Sequence, residues 1–314
     1  MSNKLKQTLL FGNGLNYGIG KTWTQLLLKL KQGHIIEDGT LPNTMKYEQT
    51  LLKRLIKESN DIFSEEFKIK SEVKQHMDDL VPPKIYDELI NLEFDNYITT
   101  NYDNIFEKAY QNNSINNIEI SHKSTEIIYS IRRYKQLNNC KLWHIHGEIN
   151  QPKSIMLGMD QYIGSVSKID DYIKGNYKFS NGSTKYSIED KLLQNNFDEI
   201  SWVELFFNSD IHILGFGLDY SEIDLWWILN KRARLGKTQK LKNKIFFYTK
   251  KLTFQECDKL SIEEKAESKQ NIKEYDEKIN LLKSFNVVVE ELNVKNYEEC
   301  YKETIKKIKI KVLN

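Results

Sequence analysis

QTLLFGNGLNYGIGKTWTQLLLKL, residues 7–30, begins as an apolar run that halts at Gly12 and ends in a segment whose apolar residues recur at helical spacing from Trp23. A short apolar run bounded by glycine suits a buried strand, and WTQLLLKL has the 3.6-residue period of a helix, so the predicted order is strand, glycine loop, helix. The same alternation returns down the chain. FDNYITT predicts a strand over 94–100, with a short helix from Asp103, and another strand follows near 141–145. DIHILG (210–215), KIFFYT (244–249) and NVVVE (286–290) predict three more, separated by helices over 221–235 and about 253–284 and followed by a basic terminal helix. Strands that alternate with helices pair in parallel, so the fold class is α/β: a Rossmann-like parallel sheet with helices on both faces.

One domain is expected over residues 1–314, enlarged twice. KYEQTLLKRLIKES, SEEFKIKSEVKQHMDDL and KIYDELINL read as helical, with a break at Pro82 and Pro83, which makes residues 33–92 a helical insertion lobe. Residues 151–208 form a second insertion. Its first part, 151–185, contains the Gly-, Ser- and Lys-rich SKIDDYIKGNYKFSNGSTK and reads as an irregular excursion; a helix is expected over 186–208. Residues 251–314 supply C-terminal helices that complete the sheet.

The 46 Lys and Arg nearly balance 44 Asp and Glu, leaving +2 and no basic excess of the kind nucleic acid requires. Seventeen Tyr, fourteen Phe and five Trp supply a core despite a mean hydropathy of −0.59. No apolar run reaches the ~18 residues of a membrane span, and the start lacks a signal-peptide pattern, so a cytoplasmic protein is expected. Cys140, Cys257 and Cys300 are odd in number and far apart, which argues against disulfides and against a cysteine zinc ribbon.

The glycine loop GNGLNYGIGKT fits neither common phosphate motif. A Walker A loop ending at Gly20-Lys21-Thr22 would need glycine at position 15, where Leu15 stands. A G-x-G-x-x-G fingerprint from Gly12 and Gly14 meets Tyr17 in its third place, with Gly18 one residue late. Glycine after a strand still permits close approach of an anion to the backbone and to a helix N-terminus, and an ordinary strand-to-helix turn remains the alternative.

Three further segments follow predicted strands: TTNYD at 99–103, HIHG at 144–147 and LGFGLDYSEIDLWW at 214–227. In an open parallel sheet, ligands bind at the carboxyl ends of strands, so these segments and the glycine loop can converge on one crevice. Together they resemble the sirtuin family, in its divergent bacterial branch that includes phage-defence effectors. Gly12-Asn13-Gly14-Leu15-Asn16 is similar to that branch's phosphate loop, and Thr22-Trp23 to the Ser-Trp that opens its next helix. Thr99-Thr100-Asn101-Tyr102-Asp103 resembles the Thr-Gln-Asn-Ile-Asp segment of deacetylating sirtuins, and His146-Gly147 resembles their catalytic His-Gly. Gly215 to Asp219 stands where the family keeps a glycine-rich strand end against the nucleotide.

The resemblance implies NAD as a substrate, Asn101 and His146 as catalytic residues, and contacts to the dinucleotide from Gly12, Asn13, Gly14, Asn16, Thr100, Asp103, Gly215, Gly217, Asp219 and Tyr248. Asp103 would hold the nicotinamide carboxamide. The residue types suit the reaction. Nicotinamide leaves as a neutral group, so no general acid is needed; an amide at Asn101 can orient the ribose and a water, and a neutral imidazole at His146 can accept a proton near pH 7. Other readings of the same residues remain open: Asn101 and Asp103 can form an Asx turn that caps the next helix, and His146 can be a hydrogen-bonded core residue. His144 is expected to be structural, and with no third ligand at a recognisable spacing no metal is expected. Trp226 and Trp227 read as packing or a subunit contact.

Deacetylating sirtuins carry a four-cysteine zinc module that this sequence lacks, so no zinc is expected and the acceptor shifts from acetyl-lysine to water. Tyr102 for an aliphatic residue and Gly217 for a serine are smaller departures. The expectation is an NAD+ hydrolase, an anti-phage effector that depletes NAD. With the sequence ending at 314, gating is expected from homo-oligomerisation, a separate activating partner such as an ATPase, or a phage trigger. The alternatives are a protein deacylase or ADP-ribosyltransferase using the same residues, a non-catalytic NAD or ADP-ribose sensor, and a P-loop phosphotransferase.

Overall fold

The computed structural model describes residues 5–17, 19, 23–31, 41–58, 61–113, 121–122, 126–179, 186–239, 241–253 and 262–313. An eight-stranded sheet runs through it. Its strands are β1 (Lys6–Phe11), β2 (Asn96–Thr99), β3 (Ser121–His122), β4 (Lys135–Leu137), β5 (Cys140–His144), β6 (Ser209–Leu214), β7 (Ile245–Lys250) and β8 (Val287–Leu292), in the order β3-β4-β5-β2-β1-β6-β7-β8. β1 pairs in parallel with β2 and β6, β2 with β5, β6 with β7 and β7 with β8, while β3 and β4 add antiparallel at one edge. Counted among themselves, the six parallel strands lie in the order 3-2-1-4-5-6, that of a Rossmann dinucleotide-binding sheet. The topological switch therefore falls between β1 and β6.

Alternation along β1 divides the core between the two faces. Leu9 and Phe11 pack on one side with Tyr86, Tyr97 and Phe106; Leu10 packs on the other with Ile98, Trp143 and Ile213. Helices cover both faces. α1 (Trp23–Leu30), α2 (Asn43–Glu58), α3 (Ile62–Met77), α4 (Ile85–Ile90), α5 (Ile105–Asn112) and α11 (Tyr297–Leu313) supply side chains to the first cluster. α6 (Met159–Lys174), α7 (Ile188–Gln194), α8 (Trp202–Asn208), α9 (Ile223–Leu235) and α10 (Ile262–Ser284) supply the second. No described helix is long and apolar enough to cross a membrane.

Helices α2 to α4 occupy the described part of the 33–92 segment, residues 33–40, 59 and 60 lying outside it. α2 and α3 are tied by the buried Arg54, whose Nε donates to Glu65 Oε1 at 2.6 Å and whose other nitrogens donate to Glu72 at 2.7 and 3.0 Å. Two expectations need correction. The stretch 151–185 contains the sixteen-residue helix α6, begun at Gly158, whose backbone N–H is accepted by Gln161 Oε1, and ended at Gly175 with φ 78°. The single helix over 186–208 is two, α7 and α8, separated after Asn195, whose φ of 50° turns the chain out of the helix.

Candidate active site

β2 ends at Thr99 and hands the chain to the segment that carries Asn101. The Asn101 N–H donates to Thr99 Oγ1 at 3.1 Å, and its carbonyl lies 2.9 Å from His144 Nδ1 on the neighbouring strand. Two residues on, Asp103 Oδ1 accepts the Ile105 N–H at 3.0 Å and so caps α5. Its Oδ2 accepts from Asn16 Nδ2 at 3.0 Å; Asn16 also donates to Asn13 Oδ1 at 2.8 Å and accepts the Tyr86 hydroxyl at 2.7 Å. These bonds join the ends of β1 and β2 to α4. Burial pushes the Asp103 carboxyl up, against the Ile105 N–H that favours its charged form.

The loops on either side of the switch are fastened together. Gly14 N donates to Gly215 O at 2.8 Å. A Cβ on Gly14 would stand 2.6 Å from that oxygen and one on Gly12 would stand 2.6 Å from Phe216 Cδ2, so both glycines are required by close packing of the two loops. Gly12-Asn13-Gly14 thus meets the β6 exit, and Asn13–Asn16 forms one 3-10 turn before the chain reaches α1. Gly18, Gly20, Lys21 and Thr22 lie outside the described residues.

His146 sits two residues beyond β5, where Gly147 at φ +93° turns the chain away. The imidazole is 1 % exposed and has a partner at each nitrogen: Nε2 is 3.1 Å from Asp224 Oδ2, while Nδ1 is 3.3 Å from the Tyr162 hydroxyl and 3.4 Å from Glu222 Oε2. Asp224 Oδ2 also accepts from Ser165 at 3.2 Å, and Tyr162 donates to Glu222 Oε2 at 3.1 Å. Burial alone would lower the imidazole; the Asp224 and Glu222 carboxylates outweigh it and hold His146 above its ordinary value. Where the sequence reading expects a neutral imidazole, the two carboxylates against the ring favour its charged form. Burial lifts the Glu222 carboxyl to about 7.

A cavity of about 180 Å³ opens at the carboxyl ends of the strands, lined by Asn101, Asp103, His146, Tyr162, Gly217 and Glu222 among others. Asn13, Gly14, Thr100, Gly215 and Asp219 also reach it. Gly12 and Asn16 stand behind it. The Asn101 amide nitrogen is buried and finds no partner at hydrogen-bond geometry, although the Tyr86 hydroxyl oxygen, which donates its own hydrogen to Asn16, interacts with the Asn101 side chain. A second cavity of about 480 Å³ adjoins the first, sharing Gly14, Gly215, Phe216, Gly217 and Asp219. Tyr248 lines this second space, as do Tyr17, Tyr220 and Tyr301.

His144 belongs to a buried charge network behind Asn101. Its Nε2 is 2.9 Å from Glu107 Oε1; Lys135 Nζ is 2.5 Å from Glu107 Oε1 and 2.5 Å from Glu148 Oε2, and Arg133 Nε is 3.6 Å from Glu148 Oε1. Because Nδ1 and Nε2 both face acceptors, the ring is best served by two protons; burial opposes this, and Glu107 more than compensates, holding its value up. Glu107 is held down to about 2, burial being overcome by His144 and Lys135. Two triplets, Glu107–His144–Glu148 and His146–Glu222–Asp224, bring nitrogen and oxygen atoms within 4.8 Å of one another. The first already holds the Lys135 ammonium between its carboxylates, and the second is joined by hydrogen bonds with Tyr162 and Ser165, so neither is assigned a metal.

Sequence reasoning did not assign Tyr162, Glu222 or Asp224 to the site. The sequence marks the last two only as a pair of acids immediately before the apolar helix LWWIL, and it does not mark Tyr162, because the apolar pattern of α6 is weak. Trp226 lies on α9 with Nε1 donating to the Asp219 carbonyl at 2.9 Å and its ring stacked on Tyr220, a packing role at the edge of the second cavity.

No curated protein matches the chain. Residues 95–201, about a third of the chain, match the family model of the SIR2-like domain, which supports a sirtuin-like assignment for the segment that carries both Asn101 and His146, and with it an NAD-related activity in general.

Proposed function

We propose that the chain is an NAD+ glycohydrolase, cleaving the bond between nicotinamide and ribose to give nicotinamide and ADP-ribose. The observation that carries this reading is the cavity at the sheet's carboxyl end, where the unbonded amide nitrogen of Asn101 and the ring of His146 line the same space. A polar group buried without a partner costs free energy, and a ligand oxygen would relieve it. The adjoining cavity across the Gly14 and Gly215 loops suits the second half of a two-lobed ligand, with Tyr248 and Tyr301 offering aromatic faces. Gly217 has nothing within 4 Å of where a Cβ would be, so its backbone borders open space that a ligand can approach.

In the reaction the bond from C1′ to the ring nitrogen breaks and its electron pair returns to the pyridinium, so nicotinamide leaves neutral. A water oxygen bonds to C1′ and its proton passes to a base. Asn101 orients the ribose and the water, and Asp103, which is held by Ile105 and Asn16, is the residue we assign to the carboxamide. The absence of a cysteine cluster, with Cys140 and Cys300 buried and unpaired, favours water over a peptide acceptor. In a cell such an activity would deplete NAD, and an anti-phage effector gated by self-association or by an activating partner is the role we assign to it.

Mass spectrometry of NAD+ incubated with the wild type, Asn101→Ala and His146→Ala tests the reading. The expected result is free ADP-ribose from the wild type and a loss of at least ~100-fold in both variants. Labelled protein instead of free ADP-ribose would favour transfer, and intact NAD+ with the wild type both at high protein concentration and co-expressed with neighbouring gene products would overturn the proposal.

A further inference from the structure

The site contains a carboxyl group that the family resemblance does not call upon. Glu222 lies at the mouth of α9 and lines the reaction cavity, and at 9 % exposure it is the most open member of the His146–Glu222–Asp224 set. His146 is closed in by comparison. Its Nε2 faces Asp224, which is fully buried, and its Nδ1 faces Tyr162 and Glu222, so neither nitrogen presents a free lone pair to the cavity. A buried carboxylate such as Asp224 is best compensated by a cation, and the only cationic group within hydrogen-bond reach of it among the described residues is the His146 ring. An imidazolium cannot accept a further proton.

Resting on the hydrolase reading above, we propose that Glu222 is the catalytic base that takes the proton from the attacking water, and that His146 is a positively charged positioning residue that holds Glu222 and Tyr162 in place. Tyr162 donates to Glu222 Oε2, which leaves Oε1 for the water. As the water oxygen bonds to C1′ and the C1′–nitrogen pair returns to nicotinamide, one water proton moves to Glu222 and is later released to solvent. The imidazolium also places a positive charge beside the carboxylate, which keeps part of Glu222 ionised in spite of its burial. The groups that face Glu222 are His146, Tyr162, Tyr102, Asp224 and Asp219; only His146 favours ionisation by charge, and the two aspartates oppose it. The balance lies near neutrality, where a base is both available and strong enough to act.

The test compares wild type and Glu222→Gln, an isostere of the protonated acid, for NAD+ cleavage, for binding of ADP-ribose by calorimetry, and for rescue by sodium azide. Azide attacks C1′ without surrendering a proton and so needs no base. The expected result is a fall in kcat of about 100-fold or more, ADP-ribose affinity within about threefold of wild type, and recovery of turnover with azide as ADP-ribosyl azide. The wild-type kcat should fall on the acid side of about pH 7. Nitrogen-15 spectra should show the His146 ring keeping its second proton to a higher pH in the wild type than in Asp224→Asn. An active wild type with Glu222→Gln keeping more than about a tenth of its kcat, or a His146 ring that loses its second proton at no higher pH in the wild type than in Asp224→Asn, overturns the assignment alone. A wild type that binds ADP-ribose but never cleaves NAD+ overturns the hydrolase reading and the base with it.

Discussion

Lys135→Met removes a cation from between two buried carboxylates while keeping the length of the aliphatic stem. In the wild type the ammonium is 2.5 Å from both Glu107 and Glu148 and is 4 % exposed, so neither acid can turn to water when it is gone. Removing one partner of a buried ion pair costs about 3–5 kcal/mol. His144 still faces Glu107 and Arg133 still faces Glu148, which places the expected loss at the lower end, about 3 kcal/mol. With a urea slope of about 3 kcal/mol/M, the unfolding midpoint at pH 7 should fall by about 1 M. The loss should also depend on pH. The folded-state value of Glu107 is depressed to about 2, so its contribution is present above the unfolded carboxyl range and is lost as pH falls toward 2. Without Lys135 the acid protonates sooner, and the gap between variant and wild type should narrow between pH 7 and pH 4. A midpoint shift under about 0.3 M, or a shift that is the same at both pH values, would refute the assignment of this network as a charge-compensated one.

Two further outcomes follow from geometry. Gly14→Ala, with a Cβ 2.6 Å from Gly215 O and 2.7 Å from the Tyr301 hydroxyl, should lower stability by about 1–3 kcal/mol in denaturant titrations, whereas Gly217→Ala, which meets nothing within 4 Å, should leave the midpoint unchanged within about 0.5 kcal/mol. His212 is stacked on Phe246 and bonded to Tyr248 and Gln7, and burial holds it down to about 4. It is neutral in the fold while free to charge in the unfolded chain, so stability should decline as pH falls from about 6.5 to about 4, by up to roughly 3 kcal/mol, and His212→Gln should flatten that part of the profile.

The central strands were legible because each is buried on both faces and therefore reads as a continuous apolar run: TLLF in β1, YIT in β2 and IHIL in β6. The two- and three-residue strands β3 and β4 carry no such run. Helix α6 was hidden for a different reason. Its inward positions include Gln161, Tyr162, Ser165, Ile169 and Tyr172, a helical spacing in which four side chains are polar or carry hydroxyls because they serve the hydrogen bonds around Gly158, His146, Asp224 and Glu204. The demands of the site weakened the apolar pattern that would have revealed the element. Asn101 and His146 stood out by their neighbours TTNYD and HIHG, but the carboxylates against His146 come from a helix some 80 residues later, and only the folded sheet brings them to it.

The bond between Gly14 and Gly215 has a mechanical consequence. It laces the exits of β1 and β6 across the switch point before any ligand arrives, so this amide should exchange with solvent far more slowly than a loop amide ordinarily does. A crevice whose two lips are already tied asks little ordering entropy of the molecule that enters it. In the proposed hydrolase reaction, the binding energy of the remote half of a dinucleotide would then be free to be used on the bond that breaks, rather than on assembling the walls around it.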